Sequence, residues 1–196
     1  MTDKFRNKYR ISSARLQTWD YGNNGAYFIT ICTLNREHFF GDIANGEMQL
    51  NEIGKILEQQ WIKTPELRPD MNLELDVFVV MPNHFHGIII IGENQYNTNR
   101  DTNRRDAMHC VSTPFNTNTP TDTTAHQFGP QAKNLASIIR GIKSSVTTQA
   151  KKSGNNDFAW QSRFHEHIIR NSAEFYNIRN YIINNPASWD KDKFHD

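Results

Sequence analysis

The stretch that most constrains how this chain can fold is Met81-Pro82-Asn83-His84-Phe85-His86-Gly87, followed by Ile88 to Ile91. Upstream, Leu73, Leu75, Val77 and Val79 alternate with Asn72, Glu74, Asp76 and Phe78, the period of a strand. Pro82-Asn83 breaks that strand, and an apolar strand returns from His84 to Ile91, so the two are expected to form an antiparallel pair. In an extended strand, residues i and i+2 share a face. His84 and His86 should therefore project side by side, in line with Ile88 and Ile90. Two imidazoles held parallel on a rigid strand are a ready pair of metal ligands. An isolated His-x-His pattern is also met by partly exposed strand residues beside a core.

The remaining elements follow in order. Residues 1–21 form a basic stretch, and Arg10 to Gln17 reads equally as a short helix or a first strand. Ala26 to Thr33 is β-branched and aromatic, a central strand. Asn45-Gly46 suits a type I′ hairpin turn. Asn51 to Ile62 has apolar residues at helical spacing, with Asn51 as cap and Pro65 and Pro69 beyond its end. Residues 94–124 differ in kind. Fourteen of these 31 residues are Asn or Thr, too polar to offset the entropy of ordering, so a disordered insertion is expected over about 94–130 within a single domain spanning 1–196.

Order is expected to resume at Lys133. Leu135, Ile138, Ile139, Ile142 and Val146 mark one face of a helix, and Lys151 to Asn156 a basic loop. Phe158 to Arg170 reads as largely strand. Asn171 and Glu174 have capping-box spacing before a final helix that Pro186 stops. Phe175, Ile178 and Ile182 form its apolar stripe. Tyr181 lies at the edge of that stripe, with Asn177, Asn184 and Asn185 within roughly 60° of it around the helix.

Net charge is only +1 but uneven: +3 over residues 1–21, −5 over 34–80 and +5 over 131–185. Basic segments can present a phosphate-binding surface, although ordinary solvated faces account for the same pattern. Cys32 and Cys110 form no disulfide framework and no CxxC, which predicts a reducing, cytoplasmic setting. The first residues lack the apolar region of a signal peptide, and no apolar run reaches the ~18 residues of a membrane helix.

Three motifs in order carry a resemblance: His84-Phe85-His86, Trp160 to Asn171, and Tyr181-Ile182-Ile183-Asn184-Asn185-Pro186. As a set the chain resembles the REP-associated tyrosine transposases, relatives of the single-tyrosine HUH insertion-sequence enzymes. The resemblance implies an α+β, ferredoxin-like fold: a central antiparallel sheet, helices packed on it and a C-terminal catalytic helix. It implies single-stranded or hairpin DNA as partner and a bacterial, nucleoid-associated location. It implies His84 and His86 as metal ligands, with Mg2+ or Mn2+, and Tyr181 as a nucleophile that forms a 5′-phosphotyrosine and frees a 3′-hydroxyl. The insertion-sequence enzymes have Gln as third ligand; here that position is Asn185. Arg140, Lys143, Lys151, Lys152, Arg163 and Arg170 are candidate phosphate contacts, and Trp160, Phe164 and Tyr21 candidate stacking platforms. The ligands would suit Zn2+ too. Whether the tyrosine acts within one chain or across a homodimer is open. Two rivals remain: a nucleic-acid-binding protein that keeps the fold without cutting, and a structural or hydrolytic metal protein that also uses His165 or His167.

Overall fold

A computed structural model describes residues 19–98 and 132–195, together with the backbone of two short paired strands, β1 (Lys4–Phe5) and β2 (Lys8–Tyr9). Arg10 to Gln17 and most of the Asn/Thr-rich stretch lie outside the described residues. The first residues of that stretch, 94–98, carry defined turns held by the Asn94 and Asn97 side chains.

The central sheet has four antiparallel strands in the order β6-β7-β3-β8. They are β3 (Gly25–Cys32), β6 (Leu73–Val80), β7 (His84–Ile91) and β8 (His165–Ile169). Helix α1 (Glu52–Ile62) connects β3 to β6, and α3 (Leu135–Lys152) connects β7 to β8. This is two interleaved split βαβ units, the ferredoxin-like arrangement. The chain is an α+β fold, as expected. Between β3 and α1 sits the hairpin of β4 (Gly41–Ala44) and β5 (Glu47–Leu50), turned at Asn45 and Gly46, both with the positive φ that a type I′ turn requires. A short helix, α2 (Thr64–Leu67), follows α1. Helix α4 (Ser172–Asn184) comes last, followed by a 3-10 turn over Pro186–Lys191.

The pleat divides the sheet into two faces. Tyr27, Ile29, Ile31, Phe85, Ile89 and Ile91 point to one face and bury against Leu57 and Trp61 of α1 and Ile138, Ile139, Ile142 and Val146 of α3. On the other face a smaller cluster forms, where Phe28, Ile88 and Ile90 meet Phe175, Ile178 and Ile182 of α4. Two sided burial explains the unbroken apolar run of β7. No helix among the described residues is long and apolar enough to cross a membrane.

Four local expectations need correction. Simple alternation puts Leu73, Leu75, Val77 and Val79 of β6 on one face. A bulge between Leu75 and Phe78 shifts the register, so Phe78 joins Leu73 and Leu75 in the main core while Val77 and Val79 turn toward α4. Lys151 and Lys152 are not in a loop but form the last turn of α3, where cations suit the helix dipole. Phe158 to Phe164 is not strand: Phe158 is buried, Trp160 makes only an isolated bridge to Thr33, and β8 begins at His165. At α4, Asn171 Oδ1 caps the Glu174 N–H, but Glu174 reaches past the expected partner and accepts from the Arg170 N–H at 2.7 Å.

Candidate active site

His84 and His86 sit on the α4 face of β7, opposite Cys32 and Thr30 of β3. Both are buried, at 0% and 1% exposed, and their ring centres are 4.5 Å apart. Neighbours fix each ring. Asn83 donates its Nδ2–H to the Phe194 carbonyl at 2.6 Å, so its Oδ1 faces His84 Nδ1 at 2.8 Å. An amide oxygen only accepts, so His84 carries its proton on Nδ1 and leaves Nε2 as a bare lone pair. His86 Nδ1 meets the Thr30 hydroxyl at 2.8 Å.

Burial pushes the His84 pKa down to about 4, reinforced by Lys193 and Arg36 and opposed by the Asp192 carboxylate. Burial, then the neighbouring His84 and Lys193, hold His86 well below its ordinary range. Both imidazoles are therefore neutral near pH 7, the form that ligates metals.

Helix α4 brings Tyr181 to this pair. Ile182 locks the helix onto the sheet at 0% exposed, and Arg179 clamps Asp76 of β6 at 2.8 Å. Tyr181, one residue before Ile182, is left 41% exposed with its hydroxyl 3.1 Å from His86 Nε2. Burial, then the Asp192 carboxylate, raise the Tyr181 pKa to about 12. Asn185 caps the C-terminus of α4, 2% exposed, and its Nδ2–H donates to Asp192 Oδ2 at 2.7 Å.

Asp192 completes the group. One ligand atom each from His84, His86 and Asp192 lie within 4.8 Å of one another. This cluster can hold a metal ion. The donor chemistry also fits. Among the described residues, three buried side-chain polar atoms lack a hydrogen-bond partner, and two of them are His84 Nε2 and Asn185 Oδ1. Such orphaned lone pairs cost free energy unless something binds them. Imidazole nitrogens with carboxylate and amide oxygens suit Mn2+ or Zn2+ better than Mg2+.

Over 186 residues the chain is 37% identical to an uncharacterized protein of Haemophilus influenzae, covering 93% of this chain and 92% of that protein. The chain belongs to the family of that protein. No family model matches the chain. Among solved structures, it is similar to a REP-associated tyrosine transposase bound to a REP hairpin, with a TM-score of 0.54 and 21% identity over 91% of this chain and 74% of that one. The chain shares that transposase's fold, as the sequence resemblance implied.

The expected site residues Tyr181, His84, His86 and Asn185 thus converge within one chain, while the expected phosphate contacts scatter. Arg163 and Arg170 are exposed just before and just after β8. Arg140, Lys151 and Lys152 are exposed on α3, across the sheet from the histidines. Lys143 is turned inward: its ammonium donates to the carbonyls of Gln161 at 2.6 Å and Arg163 at 2.9 Å, and burial lowers its pKa to about 8. Trp160, Phe164 and Tyr21 are partly buried and packed against the main core, with the Trp160 indole N–H donating to the Lys143 carbonyl. Sequence reasoning missed Asn83, Thr30 and Asp192. Asn83 could have been found as the residue joining the turn to the first histidine. Asp192 follows an irregular turn and carries no periodic signal.

Proposed function

We propose that this protein cleaves single-stranded DNA in a metal-dependent reaction and transfers the strand through a covalent 5′-phosphotyrosine on Tyr181, in the processing or transposition of hairpin-forming elements. The observation that carries this reading is the Tyr181 hydroxyl 3.1 Å from a buried, neutral His86. The shared fold with a transposase bound to a DNA hairpin supports it.

Each residue then has a task. His84 and His86, with Asn185 and Asp192, would hold a divalent cation, Mn2+ more readily than Mg2+, which when bound polarises the scissile phosphate and offsets charge developing on its oxygens. Asn83 and Thr30 orient the two imidazoles. Tyr181 is the nucleophile. A phenol with a pKa of about 12 is almost wholly protonated near neutrality, so its proton leaves as attack proceeds. The acceptors within reach are His86 Nε2 at 3.1 Å and Asp192 Oδ2 at 3.4 Å; with the His86 lone pair given to the metal, the carboxylate, which has further lone pairs, takes the proton. The Tyr181 oxygen bonds to phosphorus, the bond from phosphorus to the 3′ oxygen breaks, and that oxygen takes a proton to become a 3′-hydroxyl. The phosphodiester energy is retained in the tyrosyl ester, so a second 3′-hydroxyl can reverse the step without ATP.

Arg163 and Arg170 would contact phosphates beside the site. Lys143 holds the loop before β8 that carries Arg163. Arg140, Lys151 and Lys152 would contact phosphates on the far side of the sheet. These contacts give affinity and salt dependence rather than base choice.

The reading is tested by incubating the protein with end-labelled hairpin DNA bearing single-stranded flanks, with Mn2+ or with EDTA. A protein–DNA band that survives denaturation, requires the metal and disappears in Tyr181→Phe is expected. Salt-sensitive binding with no such band would instead identify a non-cleaving nucleic-acid-binding protein.

A further inference from the structure

Beside the histidines, on the same face of the sheet, lies an open groove of about 570 Å3. Its existence follows from how α4 is seated. The helix is seated chiefly over β6 and β7 through Ile182 and the Arg179–Asp76 pair; its apolar stripe also reaches Ala26, Phe28 and Ile169, but the part of β8 at His165 and His167 stays open. Phe28, Thr30, His165 and His167 form the groove's floor. Asn177 and Ile178 of α4 form its wall. The volume falls within the roughly 300–1,000 Å3 of sites that hold small organic ligands.

Phe28 joins the groove to the site. Its ring centre is 5.2 Å from that of His86 and 6.1 Å, edge-on, from that of Tyr181. On α4, Asn177 precedes Tyr181 by one turn, about 6 Å along the axis. A group resting on Phe28 would therefore adjoin a phosphate held at Tyr181.

The lining selects what kind of group that is. A phosphate needs clustered cations, yet Lys193 is the one Lys or Arg in the groove and the Glu174 carboxylate lines it too. A phenyl ring and an isoleucine, rimmed by imidazoles and an amide, instead suit a flat heteroaromatic ring with polar edges. Unpaired bases are bound in this way, stacked on sheet aromatics and hydrogen-bonded at their edges. We propose that this groove holds the unpaired base next to the scissile phosphate, stacked on Phe28 and bounded by His167 and Asn177. This rests on the reading of Tyr181 as nucleophile and adds to it a site that gives the cleavage its position.

The test uses the Tyr181→Phe protein, which binds without cutting, and single-stranded DNA in which one abasic position is walked across the cleavage site. One position beside the scissile phosphate is expected to cost roughly 5- to 100-fold in affinity, the worth of one base–aromatic stack. Adding Phe28→Leu, which keeps apolar bulk over the sheet, should shrink that penalty to near unity. Adding Asn177→Ala, an exposed change that leaves the core untouched, should shrink it in part. Equal penalties at every position, or a local penalty unchanged by both substitutions, would overturn the groove assignment while leaving the nucleophile in place. Absence of both single-strand binding and the wild-type covalent adduct would remove the nucleophile and the groove together.

Discussion

His84 shows how one hydrogen bond decides what a residue can do. Because Asn83 Oδ1 accepts a hydrogen bond from the Nδ1–H, Nε2 faces the cluster unprotonated and unpartnered. Asn83→Ala would free the ring to change tautomer, and a 10- to 100-fold loss of Mn2+ affinity is expected by calorimetric titration, the usual effect of removing such a support. The depressed histidine pKa values also predict how stability depends on pH. The folded state resists protonating both rings, so the unfolded chain takes up protons first, from about pH 6.5 downward. Stability of the metal-free protein should be full above about pH 6.5 and fall toward about pH 4, with His84 alone accounting for about 3 kcal/mol. Thermal midpoints in EDTA across that range check this; a midpoint that stays flat or rises on acidification would contradict it. The histidine pair and Tyr181 were legible in the sequence because strand and helix periods place them. Asp192 was not, since it reaches the site through an irregular turn. Nor was the inward turn of Lys143, because a lysine's burial depends on carbonyls 18 and 20 residues away.

At the scale of elements, the site depends on α4 being fixed against the sheet. Ile182, fully buried one residue from Tyr181, is the anchor. Ile182→Ala should cost about 2–5 kcal/mol in denaturant unfolding and reduce cleavage by the molecules that remain folded, since the helix then loses its lock beside Tyr181. A loss of stability with cleavage per folded molecule unchanged would show that the anchor does not position the tyrosine. The Arg179–Asp76 pair is part-exposed and contributes less, on the order of 1 kcal/mol or below. Here the sequence was read well for β3, β7, α1, α3 and α4, whose periods are clean. It was misread at β6 and before β8. Alternation cannot reveal a bulge, which inserts a residue without changing composition. Phe158 and Trp160 have strand-like chemistry yet fill the core from irregular backbone that hydrogen-bonds to the end of β3 and the residues after it.

At the scale of the whole molecule, the sheet separates two tasks: one face buries the main core beneath α1 and α3, and the other carries the histidines, the groove and α4. Nothing in the sequence around α4 chose between catalysis within one chain and across two. Tyr181 and His86 of one chain lie 3.1 Å apart, the geometry that action within one chain requires. Mixing inactive Tyr181→Phe with inactive His86→Ala should therefore restore no cleavage, whereas recovery on mixing would require a tyrosine serving its partner's histidines. The most direct test of the central claim is mass spectrometry of the protein digested after reaction with a single-stranded oligonucleotide and Mn2+. The peptide containing Tyr181 is expected to carry a nucleotide joined through a 5′ phosphate, and to lack it in EDTA or in His86→Ala. An unmodified Tyr181 peptide alongside cleaved DNA, or a nucleotide attached to a different residue, would contradict the account.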